Sequence, residues 1–371
     1  MQMRKTLLLG ALLAGFTGSA LAETSVTLYG LIDAGLIYQR VKVGADDANG
    51  ASSNQSRFGF QGGQQSGSRW GLRGVEDLGN GVAANFVLES GFSTGDGRRE
   101  QNRMFNRQAT VGLSSALGSV DLGRQTNVAS RYLEAIDPFA LDFYQANMGS
   151  TFGSTNTVRY DNAIIYQSPV FGGFQFAGGY SFATDNDASV VGFRTNDNNR
   201  AVTTGLRYVG GPLSLSLTYD QQFRKPTQPK PKQAVFGAAY DFEVVKVSAA
   251  YGWGKDGSLS GPGLPLGAGR SDVTGNGVGA TNDQFTWRGL KINSYMVGLS
   301  APIGASTAVF GSWQRADPNK DLTATNIYSL GTTYTLSKRT NLYAYGSYAD
   351  NFAFVSGNKA TTVGVGLRHL F

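Results

Sequence analysis

Segments in which every second residue is apolar recur from one end of this 371-residue chain to the other. Val26-Thr27-Leu28-Tyr29-Gly30-Leu31-Ile32-Asp33, Ser68-Arg69-Trp70-Gly71-Leu72-Arg73 and Leu213-Ser214-Leu215-Ser216-Leu217-Thr218-Tyr219-Asp220 each have one apolar parity and one polar, small or charged parity. A period of two belongs to a sheet whose two faces meet different surroundings. Beyond the N-terminal segment no run of 18 or more apolar residues occurs, which excludes a helical membrane protein. The mean hydropathy of -0.20 is what alternating strands average to. With 41% hydrophobic residues the chain carries enough apolar surface to order itself, and its 51 glycines follow no collagen triplet.

Arg4 and Lys5 precede the apolar stretch Thr6 to Phe16, and the small-residue site Ala20-Leu21-Ala22 follows before Glu23. Residues 1–22 read as a secretory signal peptide cleaved after Ala22, because the apolar run is too short to span roughly 30 Å of hydrocarbon. Without Arg4 and Lys5, 30 basic residues remain against 26 acidic ones. The chain has no Cys, so thiol catalysis, Cys-ligated zinc and disulfides are all excluded. A closed barrel supplies stability in their place, since closure leaves no edge strand and satisfies the backbone.

Alternation predicts sixteen strands near 25–40, 67–76, 82–93, 103–114, 118–125, 158–168, 173–183, 200–209, 212–223, 232–242, 245–255, 287–300, 303–315, 323–336, 340–350 and 359–371. Short connections with turn chemistry, such as Glu76-Asp77-Leu78-Gly79-Asn80-Gly81 and Gly210-Gly211-Pro212, alternate with long polar ones at 41–66, 94–102, 126–157, 184–199, 224–231, 256–286, 316–322 and 351–358. Residues 23–371 are therefore expected to form an all-β, 16-stranded antiparallel transmembrane barrel, with short periplasmic turns and long outer loops. A secreted sandwich would seldom alternate loop length so regularly, and a solenoid would show a fixed repeat.

An arginine facing lipid at mid-membrane costs roughly 2 to 4 kcal/mol, so parity assigns the faces. Arg69, Gly71 and Arg73 look inward while Trp70 and Leu72 meet lipid. Arg107 is read as inward, which carries Leu113 inward and Gln108 outward. Arg159 and Asp161 share the inner face, and Glu89 joins Asn85 and Val87 there opposite Phe86 and Leu88. At the C-terminus Val365, Leu367, His369 and Phe371 face lipid, which leaves the only histidine without a catalytic role.

From Ser25 to Phe371 the chain resembles the trimeric sixteen-stranded general porins of Gram-negative bacteria, especially the betaproteobacterial branch. The matching segments are Val26 to Ala34, Ser68 to Gly74 with Glu76 to Gly81, Asn106-Arg107-Gln108-Ala109 with Val111-Gly112-Leu113, Leu122-Gly123-Arg124-Gln125, Tyr166-Gln167-Ser168-Pro169 and the terminal Phe371. The resemblance implies a homotrimer in the outer-membrane lipid. It also implies that the third long loop, 126–157, folds inward and narrows the pore. Arg69, Arg107 and Arg159, with Arg124 nearby, then lie where the family's wall arginines do. Glu89 and Asp33 are wall carboxylates, and Glu134, Asp137 and Asp142 are candidates on the loop. The loop lacks the Pro-Glu-Phe-Gly-Gly signature of enterobacterial porins, which leaves open which carboxylate reaches the constriction.

Sixteen strands enclose an aqueous channel. The expected function is passive diffusion of small hydrophilic solutes and ions, with a preference for anions through the arginine-lined constriction. No cofactor, metal site or catalytic group is expected, nor nucleic-acid binding, since the charges are scattered rather than gathered in a stripe. Two rival readings are a substrate-specific channel for a sugar or organic anion, using Tyr132, Phe139, Phe143 and Tyr144, and an adhesin using loop 256–286. The blander role of those aromatics is to pack the loop onto the wall.

Overall fold

The computed structural model describes residues 25–43, 53–155, 157–184, 199–224, 228–257, 259 and 288–371. The expected signal peptide, most of loop 184–199 and nearly all of loop 256–286 lie outside the described residues. Seventeen strands form one sheet: β1 (Ser25–Val43), β2 (Ser53–Gly62), β3 (Arg69–Gly79), β4 (Val82–Gly91), β5 (Gln108–Ser115), β6 (Gly118–Thr126), β7 (Arg159–Gln167), β8 (Phe174–Ser181), β9 (Arg200–Gly210), β10 (Leu213–Phe223), β11 (Lys232–Asp241), β12 (Lys246–Lys255), β13 (Lys291–Ile303), β14 (Thr307–Pro318), β15 (Thr325–Ser337), β16 (Thr340–Asp350) and β17 (Lys359–Leu370). All neighbours are antiparallel, and β1 closes the barrel against β17 from Leu31↔Leu370 to Lys42↔Lys359. Phe371 completes the seam: its N–H donates to the Gly30 carbonyl and its carbonyl accepts from Gly30.

Seventeen segments occupy sixteen places. β1 pairs through residues 34–43 with β2 and through residues 25–31 with β3, so β2 and β3 are two pieces of one wall strand interrupted at 63–68. This corrects the expectation that 41–66 is a loop. Ser53–Gly62 is polar on both faces except for Phe58 and Phe60, which are exposed outside, and it extends the first hairpin beyond the strand expected at 25–40. All seven short connections fall where turn chemistry predicts them, and the termini of the barrel lie on that side. Among the described residues no helix is long and apolar enough to cross a membrane; the strands do so.

The outward parity is an apolar band: Leu28, Val111, Leu122, Leu217, Phe236, Val297, Leu330 and Val365 are all exposed. The inward parity is buried wherever protein fills the lumen. What fills it is loop 126–157, whose helix α1 (Val128–Leu133) starts from an Asn127 cap; the Asn127 side chain accepts from the Ser130 N–H at 3.2 Å. Ala129, Leu133, Ile136, Leu141, Met148 and Phe152 pack on Val235, Ala239, Ala250 and Met296 of the wall. Phe139 and Phe143 pack on Phe310, Tyr343 and Tyr345, with the Phe139 and Phe310 rings 4.9 Å apart and edge-on. Edge-to-face pairs of this kind are worth about 0.5–1.5 kcal/mol beyond their burial.

The wall makes room for this loop with glycine. A Cβ on Gly237 would sit 2.8 Å from Leu133, one on Gly252 2.8 Å from Phe152, and one on Gly298 2.3 Å from Pro138. Polar side chains then fix the loop in register. Ser154 N–H donates to Gln233 Oε1 at 2.7 Å, Gln314 Nε2 donates to the Ala146 carbonyl at 2.7 Å, and Gln145 Nε2 donates to the Ala360 carbonyl at 3.2 Å.

Candidate functional site

Opposite the loop-covered wall, strands β3 to β7 and the segment before β5 bring guanidinium groups together. Arg107 Nε donates to Glu89 Oε1 at 2.7 Å, Arg69 Nε lies 3.8 Å from Glu89 Oε2, and the Tyr29 hydroxyl donates to the same carboxylate at 3.0 Å. Arg103 Nη1 reaches both oxygens of Asp161 at 2.9 Å, and Arg124 Nη1 also donates to Asp161. Arg124 is braced from two more sides, its Nε on the Asn106 carbonyl at 2.6 Å and its Nη2 on Gln101 Oε1 at 3.1 Å. Arg159 feels the positive charges of Arg107 and Arg124 and the negative charges of Glu89 and Glu100; among the described residues it donates only to the Thr157 carbonyl, at 3.3 Å, and its buried Nε has no partner. Among the described residues four arginines thus share two wall carboxylates in ion-pair contact, and Arg159 stands beside them without one.

Irregular backbone aims several of these groups. A regular β6 would send Arg124 to the same side as the exposed Leu122. Gly123, at φ +123°, sits at a register shift between Gly123 and Gln125 that re-aims the next side chain into the lumen. A second irregularity corrects the parity reading of β5. Arg107 lies one residue before the strand, and its N–H donates to the Glu89 carbonyl, while Gln108 is the residue directly opposite Glu89. Both face one partner, so Arg107 and Gln108 both look inward. The alternation restarts at Gln108, and Leu113 is 53% exposed on the lipid side, the reverse of the expectation.

The expected carboxylates separate. Glu134 is exposed on the loop, with Arg69 acting on its charge. Asp142 is partly exposed, accepts from the Ser66 hydroxyl at 2.6 Å, and feels Arg69 and Arg368. Burial pushes the Asp142 carboxyl up to about 7, with Glu134 adding to the rise and Ser66 and the two arginines opposing it. Asp137 does not face the lumen. It is buried and accepts backbone N–H groups from Phe139, Leu141 and Met148 at 3.2, 3.0 and 3.0 Å, tying the loop's coil to itself. Burial raises its pKa to about 6 against those three donors. Asp33 is likewise buried, clamped between the Tyr343 hydroxyl at 2.6 Å and the Ser66 N–H at 2.7 Å; it holds segment 63–68 to the wall.

Tyr132, Phe139 and Phe143 are buried in the loop-to-wall packing. Tyr144 keeps 38% exposure, with its hydroxyl donating to the Gly62 carbonyl at 2.8 Å. These contacts favour the packing role over a solute-lined site. His369 lies on the exposed outward parity, its Nδ1 2.9 Å from the Thr340 hydroxyl.

The profile of the Gram-negative porin family matches residues 10–353. The chain belongs to that family. An outer membrane porin protein of Bordetella pertussis is 54% identical over the full length of both chains. Outer membrane porin protein 32 of Delftia acidovorans is 34% identical over 98% of this chain and 92% of its own. Among solved structures, the anion-selective porin from Comamonas acidovorans matches with a TM-score of 0.71 and 30% identity, over 94% of this chain and 100% of that one. An outer membrane protein of Vibrio cholerae, solved in trimer form, shares the fold at 14% identity with a TM-score of 0.60, over 94% of this chain and 99% of its own. The chain is an outer-membrane porin, and its family and fold are those of channels.

Arg103 of the cluster and Arg368 beside the loop were not among the residues picked from sequence. Arg103 falls at the start of the expected strand 103–114 on the parity of Arg107; in the structure it lies before β5, outside any regular strand. Arg368 was legible, because an outward Leu367 and His369 leave it pointing inward, where its Nη1 donates to the Ser66 hydroxyl at 3.3 Å.

Proposed function

We propose that this porin conducts small hydrophilic solutes passively and prefers anions. The observation that carries the reading is the excess of guanidinium groups around Glu89 and Asp161: Arg69, Arg103, Arg107, Arg124 and Arg159, with Glu100 a third carboxylate acting on Arg159 and Asp121 of β6 turned to Arg131 of the loop. A water-filled passage lined by excess fixed positive charge lowers the barrier for anions and raises it for cations. The loop opposes this weakly, since Asp137 is withdrawn from the lumen and burial pushes the Asp142 carboxyl up to about 7. Similarity to the Comamonas porin described as anion-selective supports the same reading. Arg69, Arg107, Arg159 and Arg124 are assigned to the constriction wall, with Glu134 and Asp142 facing them from the loop. No catalytic residue is assigned.

The functional unit is read as a homotrimer of barrels spanning 23–371, released by cleavage after Ala22. Cross-linking of the extracted protein and N-terminal sequencing of the mature chain test those two points. Selectivity is tested by recording refolded protein in a planar bilayer under a salt gradient. The zero-current potential should have the anion-directed sign. A cation-directed potential would overturn the arginine assignment, and absence of conductance would overturn the channel itself.

A further inference from the structure

Segment 63–68, which interrupts the wall strand between β2 and β3, is tied down from three strands. Its Ser66 N–H donates to Asp33 Oδ2 of β1 at 2.7 Å, and Asp33 Oδ1 is fixed in turn by the Tyr343 hydroxyl of β16 at 2.6 Å. The Asp33 carbonyl accepts from the Gly63 N–H at 3.0 Å, and the Asp33 N–H donates to the Ser68 hydroxyl oxygen at 3.0 Å, so both ends of the segment are held to one residue. Gln65 Oε1 accepts from Asn341 Nδ2 at 2.7 Å, and Asn341 Oδ1 accepts from Arg368 Nε of β17 at 3.1 Å. The backbone of Ser66 is therefore fixed, and the residue is buried.

Its hydroxyl is fixed in direction as well. A serine hydroxyl has one hydrogen to give, and a guanidinium cannot accept it. Arg368 Nη1 donates to Ser66 Oγ at 3.3 Å, so the serine hydrogen points elsewhere. It goes to Asp142 Oδ2 at the loop tip, at 2.6 Å. The loop backbone on either side of Asp142 is left-handed, at Leu141 with φ +57° and Phe143 with φ +63°, which sets where the carboxylate emerges. Among the described residues Asp142 makes no ion pair, although the charged groups that face it, Arg69 of β3, Arg368 of β17 and Glu134 of the loop, all act on its charge. The one ion pair of Arg69 among the described residues is the loose contact with Glu89, at 3.8 Å.

We propose that Ser66 is a specificity-determining positioning residue of the pore: its hydroxyl, aimed by Arg368, holds the Asp142 carboxylate away from Arg69 and so leaves the Arg69 guanidinium free to meet anions. This deepens the reading of anion preference and rests on it. Without the hydroxyl the carboxylate turns to Arg69, whose charge acts on it more strongly than that of Arg368. A charge-assisted pair then forms beside the passage and cancels one of the wall's positive charges where ions cross.

Zero-current potentials in planar bilayers test it, recorded for refolded Ser66→Ala, Asp142→Asn and Arg69→Gln and for the two double variants that add Ser66→Ala to the others, at pH 8 where Asp142 is ionised. Ser66→Ala alone removes one oxygen atom and should lower the anion-to-cation permeability ratio about twofold. The same change should have no effect in the Asp142→Asn background, nor in the Arg69→Gln background. Ser66 and Arg69 do not bond to each other, so only the displaced carboxylate couples them. The pH response separates displacement from simple loosening. Burial holds the wild-type Asp142 carboxyl at about 7, and pairing with Arg69 in Ser66→Ala should move the response to lower pH. A carboxylate that merely lost its hydrogen bond would move it to higher pH. Single-channel current reports that each variant is folded. The readout is a difference between variants, so it stands apart from the sign of the wild-type potential, which tests anion preference itself. An unchanged ratio in Ser66→Ala, a fall that persists in either double variant, or a pH response moved upward would overturn the proposal.

Discussion

The two halves of the inner wall use the same alternation and fill it with opposite chemistry. On β11 to β13 the inward positions that meet the loop include Gly237, Ala239, Ala250, Gly252, Met296 and Gly298, small or apolar groups against protein, with Gln233 and Ser294 bonding loop backbone. On β3 to β7 they include Arg69, Glu89 and Asp161, joined by Arg103, Arg107 and Arg124 around them. The lesson is that an inward position is decided by what occupies the lumen beside it. Where protein does, a Cβ is already too much at Gly237, Gly252 and Gly298; where water does, several guanidinium groups can be gathered without one carboxylate each.

The largest test of that contrast empties the charged side. Replacing Arg69, Arg107 and Arg159 together by Gln should reduce the anion-to-cation permeability ratio severalfold while leaving the barrel folded, read from zero-current potentials. Unchanged selectivity would place the anion preference elsewhere. On the crowded side, Gly298→Leu drives a side chain into Pro138 and should cost about 1–3 kcal/mol in urea unfolding of the refolded protein, with altered conductance as the loop shifts. The same change at Gly59, where nothing lies within 4 Å of a new Cβ, should leave both unchanged.

Asp137→Ala leaves three buried loop N–H groups without their acceptor, at a cost of roughly 1–3 kcal/mol, and should give a noisier open-channel current. A smaller effect is expected from pH. Because burial holds the Asp142 carboxyl up at about 7, lowering the pH from 8 to 6 protonates it and removes a negative charge from the loop. Anion preference should therefore rise as pH falls through that window, and Asp142→Asn should flatten the response.

Much of this was legible because lipid imposes a severe rule: one parity of each strand must be apolar. That rule located the strands, the seven turns and the outward His369. It failed where the backbone leaves the period of two. The doubling of Arg107 and Gln108 opposite Glu89 reversed the faces read for β5, and the Gly123 shift is invisible to parity although it aims Arg124. Segment 53–62 lies beyond the strand expected at 25–40, where polar residues on both faces hide the pattern. The loop carboxylates could not be sorted from sequence, since Asp137 and Glu134 differ only in whether coiled backbone turns its amides toward them.

Absence of cysteine from the whole chain gives a clean background for the most direct test of the central claim, that these guanidinium groups stand in the conducting water. Arg107→Cys, introduced alone and treated across a planar bilayer with a water-borne cationic thiol reagent, should first lose and then regain anion preference as the positive adduct forms, and an anionic reagent should lower it further. A cysteine at 107 that reacts with neither reagent while current flows would contradict the account.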